Sequence, residues 1–196
     1  LPGYDTPAQE ADPVKILIAG GFGVGKTTLV ETISEIEPLR TEERLTSAGV
    51  GVDDLDGIES KAVTTVAMDF GRLTLTDAGV VLYLFGTPGQ ERFWFMWDDL
   101  LNGALGAIVL VDTRRLDRSF PAVDFFENRG LPFVVGANCF HGEQPYNAEE
   151  IRAALHLRDP NTPVLMLDAR SRDDVRGALL SLLDMLIAKA GAVATG

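Results

Sequence analysis

An apolar run, Val14 to Ala19, leads into Gly20-Gly21-Phe22-Gly23-Val24-Gly25-Lys26-Thr27 and then into a helical-looking run from Thr28 to about Ile36. The order is strand, Gly-rich turn, helix start. The spacing, Gly, four residues, then Gly-Lys-Thr, is that of a phosphate-binding loop. The residue types follow from the ligand. A polyphosphate is densely negative, and successive backbone N–H groups wrap it only where the chain turns tightly and no side chain blocks the approach. The helix N-terminus adds unsatisfied donors and its positive dipole end. Lys26 supplies an ammonium for the terminal phosphates, and the Thr27 hydroxyl is a ligand for Mg²⁺.

Downstream, strands alternate with helices. Thr65–Leu75 and Gly79–Phe85 read as a hairpin closed by Thr76-Asp77-Ala78-Gly79. Ala104–Val111, Pro132–Ala137 and Val164–Leu167 read as buried strands. Helices are expected from Lys26 to near Pro38, after Phe93 to about Asn102, over Leu116–Asn128 with a break at Pro121, over Asn147–Leu155 and over Ser171–Ala188. Asn147 and Ser171 read as helix caps. Leu39–Val63 reads as one long polar connection, of a length that is functional or disordered in a compact domain. The pattern predicts a doubly wound sheet whose ligand sits at the carboxyl ends of the strands. The expected domain spans 14–190, with a loose arm at 1–13 and a small-residue tail at 191–196. Because the chain begins with Leu1 rather than Met, an upstream segment is allowed for.

Composition excludes several classes. A formal charge of −12 over 196 residues argues against nucleic acid or anionic lipid as a general partner. One cysteine, Cys139, leaves no internal disulfide and fits a reducing compartment. No apolar stretch reaches membrane-spanning length, and no signal peptide or lipidation motif is read, so no direct membrane insertion is expected.

With these boxes the chain resembles the Ras-like small GTPases, and more closely the bacterial conservon-type members, through Leu84-Phe85-Gly86-Thr87-Pro88-Gly89-Gln90 and Asn138-Cys139-Phe140. The resemblance runs from Val14 to about Lys189. It implies an α/β P-loop NTPase fold with a central, mostly parallel six-stranded sheet and helices on both faces. It further implies a cytoplasmic signalling switch that binds GTP and GDP with Mg²⁺ and hydrolyses GTP slowly. The expected partners are a roadblock-type protein and a sensor-kinase-like membrane protein, which would recruit the switch to the membrane. Carried over residue by residue, the nucleotide would be held by Gly21, Phe22, Gly23, Val24, Gly25, Lys26, Thr27 and Thr28. Thr65, with Thr64 as its neighbour and alternative, would bind Mg²⁺ and the γ-phosphate. Gly89 would offer its N–H to the γ-phosphate, and Gln90 would orient the attacking water beside Lys26.

Several positions depart from that family. Gly86 stands where an acid holds Mg²⁺ through water; Asp69 and Asp112 are possible compensators, ranked below a structural role. Phe22 places bulk beside the γ-phosphate and predicts slow intrinsic hydrolysis. In the base box, Asn138 matches, but Cys139 replaces a lysine and His141 replaces the acid that accepts two guanine N–H groups, a task that a histidine cannot perform. Asp168-Ala169-Arg170 resembles the last base-contacting box, and Asp168 is a candidate substitute for the missing acid. Cys139 is read first as a small apolar filler. Arg92, Arg114 and Arg115 are read as solvated rim charges. Within Phe93-Trp94-Phe95-Met96-Trp97, five large side chains cannot all face inward, so one or two are expected to form an exposed partner site beside the switch. The rival readings are a non-hydrolysing scaffold, a nucleotide-binding module of relaxed base specificity, and a small-molecule phosphotransferase. The last needs an arginine-rich lid that the sequence lacks.

Overall fold

The computed structural model describes residues 11–46, 63–140 and 145–194. The arm at 1–10, the acid-rich stretch 47–62 and His141 lie outside them. Among the described residues the chain forms a seven-stranded sheet. Its strands are β1 (Asp12–Gly20), β2 (Leu39–Thr46), β3 (Val63–Leu75), β4 (Val80–Gly86), β5 (Ala104–Val111), β6 (Phe133–Asn138) and β7 (Val164–Leu167). The helices are α1 (Lys26–Ile33), α2 (Trp97–Leu101), α3 (Phe120–Arg129), α4 (Ala148–Leu155) and α5 (Arg172–Ala194). The strand order is β2-β3-β4-β1-β5-β6-β7. β1 pairs parallel with both β4 and β5, and the parallel ladder continues to β6 and β7. β3 runs antiparallel between β2 and β4. The six expected strands are therefore present in a mostly parallel order, and a seventh is added at one edge.

That seventh strand corrects the reading of Leu39–Val63 as an unbroken loop. Leu39–Thr46 pairs along its whole length with Val63–Phe70. Its sequence, Leu-Arg-Thr-Glu-Glu-Arg-Leu-Thr, has no apolar alternation, because an edge strand is held by backbone pairing to one neighbour and need not bury a face.

β1 shows why the fold closes around the phosphate-binding loop. Ile16 and Ile18 point to one face of the sheet, Leu17 and Ala19 to the other, and all four are fully buried. The first face packs under α1 (Leu29, Val30, Ile33) and α5 (Val175, Leu179, Leu182). The second packs under α2 (Trp97), α3 (Val123, Phe126) and α4 (Ile151, Leu155). Each such aliphatic or aromatic side chain is stabilised by about 1.5–3 kcal/mol on burial. The loop that follows β1 is thus anchored to both layers, at the point where neighbours β4 and β5 diverge.

Helix boundaries differ locally from expectation. α1 stops at Ile33, five residues before Pro38, because Ser34 takes extended geometry and its hydroxyl accepts from the Ile36 and Arg72 amides. Pro121 starts α3 rather than breaking it; a 3₁₀ segment, Thr113–Ser119, precedes it. The stretch after Gln90 is a 3₁₀ turn, Glu91–Met96, and then the short α2. Asn147 caps α4 with a reciprocal capping box to Glu150. The closing helix extends to Ala194, beyond the expected Ala188. Among the described residues no helix is long and apolar enough to cross a membrane.

Candidate functional site

The turn between β1 and α1 needs glycine for two separate reasons. Gly25 has φ +107, in the left-handed region, and a Cβ there would fall 2.6 Å from Asn138 Nδ2. Gly89, from the loop after β4, approaches so closely that its Cβ would lie 2.6 Å from Lys26 Nζ and 3.0 Å from Phe22 Cα. Backbone from two loops therefore meets around the Lys26 ammonium, which donates to the Gly20 and Gly21 carbonyls at 2.8 Å each. A cavity of about 400 Å³ opens there. Phe22, Gly23, Gly25, Lys26, Thr27, Thr28, Gly89 and Gln90 all line it, as the sequence leads one to expect, and so do Asp69 and Thr87. Val24 is buried beneath the loop, and Gly21 lies at its back against Arg118.

Asp69, ranked below a structural role from the sequence, stands on the cavity wall. Thr27 Oγ1 donates to Asp69 Oδ2 at 2.6 Å. Asp69 also lies directly beside the family's missing acid: Phe70 pairs with Phe85, so Asp69 is the next residue across from Gly86. A Cβ on Gly86 would stand 3.1 Å from Asp69 Cβ and 3.2 Å from Asp69 Oδ2. Glycine at 86 leaves room for the Asp69 carboxylate on the adjacent strand. Burial lowers the Lys26 pKa from its ordinary 10.5 to about 8, while the Asp69 charge acts in the opposite direction. The buried Thr87 hydroxyl on the same cavity wall has no hydrogen-bond partner. Two hard oxygen donors side by side and an orphaned hydroxyl suit Mg²⁺, which is characteristically held by one or two carboxylates together with substrate phosphates. Among the described residues no group of three His, Cys, Asp or Glu could hold a metal by itself. Asp112, the other candidate, is instead a structural cap: its carboxylate accepts from the Arg114 backbone N–H at 3.0 Å and from both side-chain nitrogens of a bidentate Arg114 pair.

A second, smaller cavity of about 110 Å³ adjoins the first through Gly25 and Thr28 and is lined by Asn138, Cys139, Phe140, Asp168, Ala169 and Arg170. Asn138 is a brace. Its Nδ2 donates to Val24 O at 2.9 Å and its Oδ1 accepts from Ala169 N at 3.1 Å, locking the phosphate loop to the loop after β7. Asp168 is ionised well below the usual range, at about pH 2, because Arg170 donates to both of its oxygens. Burial pushes the Cys139 thiol up, the opposite of activation.

Other expected residues fall elsewhere. Thr65 lies within β3, paired with Arg44, and its side chain is outside the described set, as is all of His141. Phe22 is 62% exposed at the cavity mouth and Phe95 is 63% exposed, whereas Phe93 and Trp97 are buried. One or two exposed aromatics were expected from that run; Phe95 is exposed, and Trp97 is fixed inward by donating Nε1–H to Pro88 O at 3.0 Å. Arg114 and Arg115 are both well exposed, as rim charges should be, and both also hold Asp112. Asp69 had a sequence signal: counting back residue for residue from the predicted hairpin turn brings Asp69 opposite Gly86. Thr87 had none.

A family model described as "Conserved hypothetical ATP binding protein" matches residues 18–189. An uncharacterized protein of Methanocaldococcus jannaschii is 31% identical over 132 residues, which is 66% of this chain and 72% of that protein. The Ras-related protein Rab-7b of Homo sapiens is 29% identical over 157 residues, 80% of this chain and 66% of its own length. Among solved structures, the cytosolic domain of the T. maritima FeoB iron transporter in a GDP form superposes with a TM-score of 0.62 at 16% identity. That match covers 88% of this chain, which spans 63% of the FeoB domain's length; the likeness is one of fold.

Proposed function

Since the chain belongs to the family of conserved hypothetical ATP binding proteins and is a nucleotide-binding P-loop NTPase with Ras-related relatives, we propose that it is a small Mg²⁺-dependent GTP-binding switch that hydrolyses GTP slowly. The observation that carries this reading is the Thr27–Asp69 pair beside Lys26, in a cavity closed on its far side by Gly89. Thr27 and Asp69 would hold Mg²⁺, which would supply positive charge against the phosphate tail. Lys26 and the loop amides would hold the phosphate tail, joined by the Gly89 N–H. Gln90, exposed at the same rim, would orient water toward the terminal phosphorus. Phe22 at the cavity mouth would crowd that approach, so intrinsic turnover would fall at or below the scale of about 10⁻⁴ per second known for unassisted Ras.

Phe22, exposed at the cavity mouth, and Phe95, exposed in the segment that follows Gln90, support a protein partner that reads the nucleotide state. By resemblance to conservon-type proteins, that partner would be a roadblock-type protein or a sensor-kinase-like membrane protein, the latter giving a cytoplasmic switch its membrane address. Base choice is the point on which a second reading has an observation of its own. Asp168 stands at the base cavity as an anion, as a guanine acceptor must, but Arg170 engages both its oxygens, which favours relaxed base specificity.

A titration of the purified chain with fluorescent GTP, ATP and their diphosphates, with and without Mg²⁺ and with Lys26→Ala as control, separates the readings. Guanine preference lost in the variant supports the switch. Equal affinity for both bases supports the relaxed module. Binding without phosphate release supports the non-hydrolysing scaffold, and no Lys26-dependent binding removes the nucleotide reading.

A further inference from the structure

The 3₁₀ segment Thr113–Ser119 packs against the back of the phosphate-binding loop. A Cβ on Gly21 would lie 3.3 Å from Arg118 Cβ. One guanidinium nitrogen of Arg115 lies 3.9 Å from where a Cβ on Gly23 would be. Gly23 lines the phosphate cavity, while Arg115 rests in a small pocket behind the loop with Gly21, Val24 and Asp112. The segment is kinked at Arg115 itself, where φ −145 and ψ 53 leave helical geometry.

The two neighbouring arginines are held very differently. Arg114 grips Asp112 through Nε at 2.8 Å and a terminal nitrogen at 2.9 Å, and its guanidinium stacks 3.9 Å above the Phe140 ring. Arg115 reaches the same carboxylate through a single nitrogen at 3.3 Å, and 42% of its side chain is exposed. Asp112 stays paired with Arg114 when Arg115 leaves. Breaking a long, half-exposed ion pair costs little, and a phosphate offers a guanidinium stronger, bidentate acceptors.

Charge supplies the motive. The chain carries −12, and Asp69 points at the same cavity. Lys26 is the one lysine or arginine among the described residues that line the cavity.

We propose that Arg115 is a second phosphate-binding cation, parked on Asp112 and transferred to the phosphate tail beside Gly23 when a nucleoside triphosphate binds. The proposal rests on the nucleotide reading of the loop and adds to it a residue from outside the recognised boxes. Its ligand is the tail, not the base, so its effect is the same for guanine and adenine nucleotides.

The test displaces a fluorescent nucleotide from the full chain with inorganic tripolyphosphate, GTP, ATP and GDP, in wild type, Arg115→Ala, Arg115→Gln and Lys26→Ala. Arg115→Gln keeps length and a hydrogen-bond donor for Asp112 while removing charge, so it serves if the alanine variant unfolds. The expected result is a tenfold or greater weakening of tripolyphosphate, GTP and ATP in both Arg115 variants, with GDP changed less than threefold and thermal melting of the glutamine variant unchanged. Wild-type displacement by tripolyphosphate in the Arg115 variants, with Lys26→Ala inactive, overturns the proposal and leaves the nucleotide reading standing. A loss confined to guanine nucleotides, with tripolyphosphate unaffected, also overturns it by placing Arg115 on the base side. No Lys26-dependent displacement in wild type removes both.

Discussion

At the scale of single residues, the relation between Asp69 and Gly86 is open to a swap. Asp69→Ala is expected to weaken the Mg²⁺ enhancement of nucleotide binding by about 10–100-fold, the range for losing a group that supports a metal. Gly86→Asp alone brings a second carboxylate within van der Waals contact of the first, where two like charges cannot both stay ionised, so it is expected to lower stability rather than tighten Mg²⁺. The double variant, with the acid back on β4 and room made on β3, is expected to recover Mg²⁺ dependence. Titrating Mg²⁺ against a fixed nucleotide concentration in all four proteins reads this cycle, and additive losses would mean that the two positions are independent.

Lys26 gives a second residue-scale prediction with opposed signs. Its folded pKa, about 8, lies below the unfolded value near 10.5. Between these values the unfolded chain binds more protons, so folding stability of the nucleotide-free protein rises as pH climbs from about 8 to about 10.5. Phosphate binding needs the ammonium, so affinity falls over the same window, by up to about tenfold per pH unit. Denaturant midpoints and nucleotide affinities measured from pH 7 to pH 10 should therefore diverge, and Lys26→Ala should flatten both curves.

At the scale of elements, the joints between loops hold the site together. The Asn138 side chain ties the β1–α1 loop to the loop after β7 through two buried hydrogen bonds. Asn138→Ala strands the Val24 carbonyl and the Ala169 amide, each at a cost of about 1–3 kcal/mol. Stability measured by denaturant unfolding is expected to fall by about 2–4 kcal/mol, and affinity for nucleotide with it, because the phosphate loop loses its tie to the loop after β7. A loss below about 0.5 kcal/mol would mean that water replaces the brace. This joint also shows what the sequence made legible. Asn138 and Lys26 stood out because each sits at a fixed offset within a short local motif, and the buried strands stood out because a parallel sheet covered on both faces demands unbroken apolar runs. What stayed hidden depends on non-local pairing. β2 is held by backbone bonds to β3 and has no side-chain period to announce it. The closeness of Asp69 to Thr27 spans 42 positions and follows from hairpin register. The approach of Arg115 to Gly23 joins two loops more than 90 positions apart, which no local pattern marks.

At the scale of the whole molecule, charge and site pull in opposite directions. The chain carries −12, and its ligand is an anion, so at long range the two repel. Close in, Lys26, the loop amides and the start of α1 attract. The radius that separates these regimes is set by salt. Between about 0.01 M and about 0.15 M the Debye length shrinks from about 30 Å to about 8 Å, which screens the distant carboxylates while leaving contacts within the cavity nearly intact. The association rate of a nucleoside triphosphate is therefore expected to rise with salt over this range, the reverse of electrostatic steering, while the dissociation rate changes little. Stopped-flow binding of a fluorescent nucleotide measures both. An association rate that falls with salt would mean that the arginines behind the phosphate-binding loop set the field at the cavity mouth and that net charge does not. In that case Arg115→Gln and Arg118→Gln should abolish the salt dependence, which would identify the cationic 3₁₀ segment after β5 as the element that draws the ligand in.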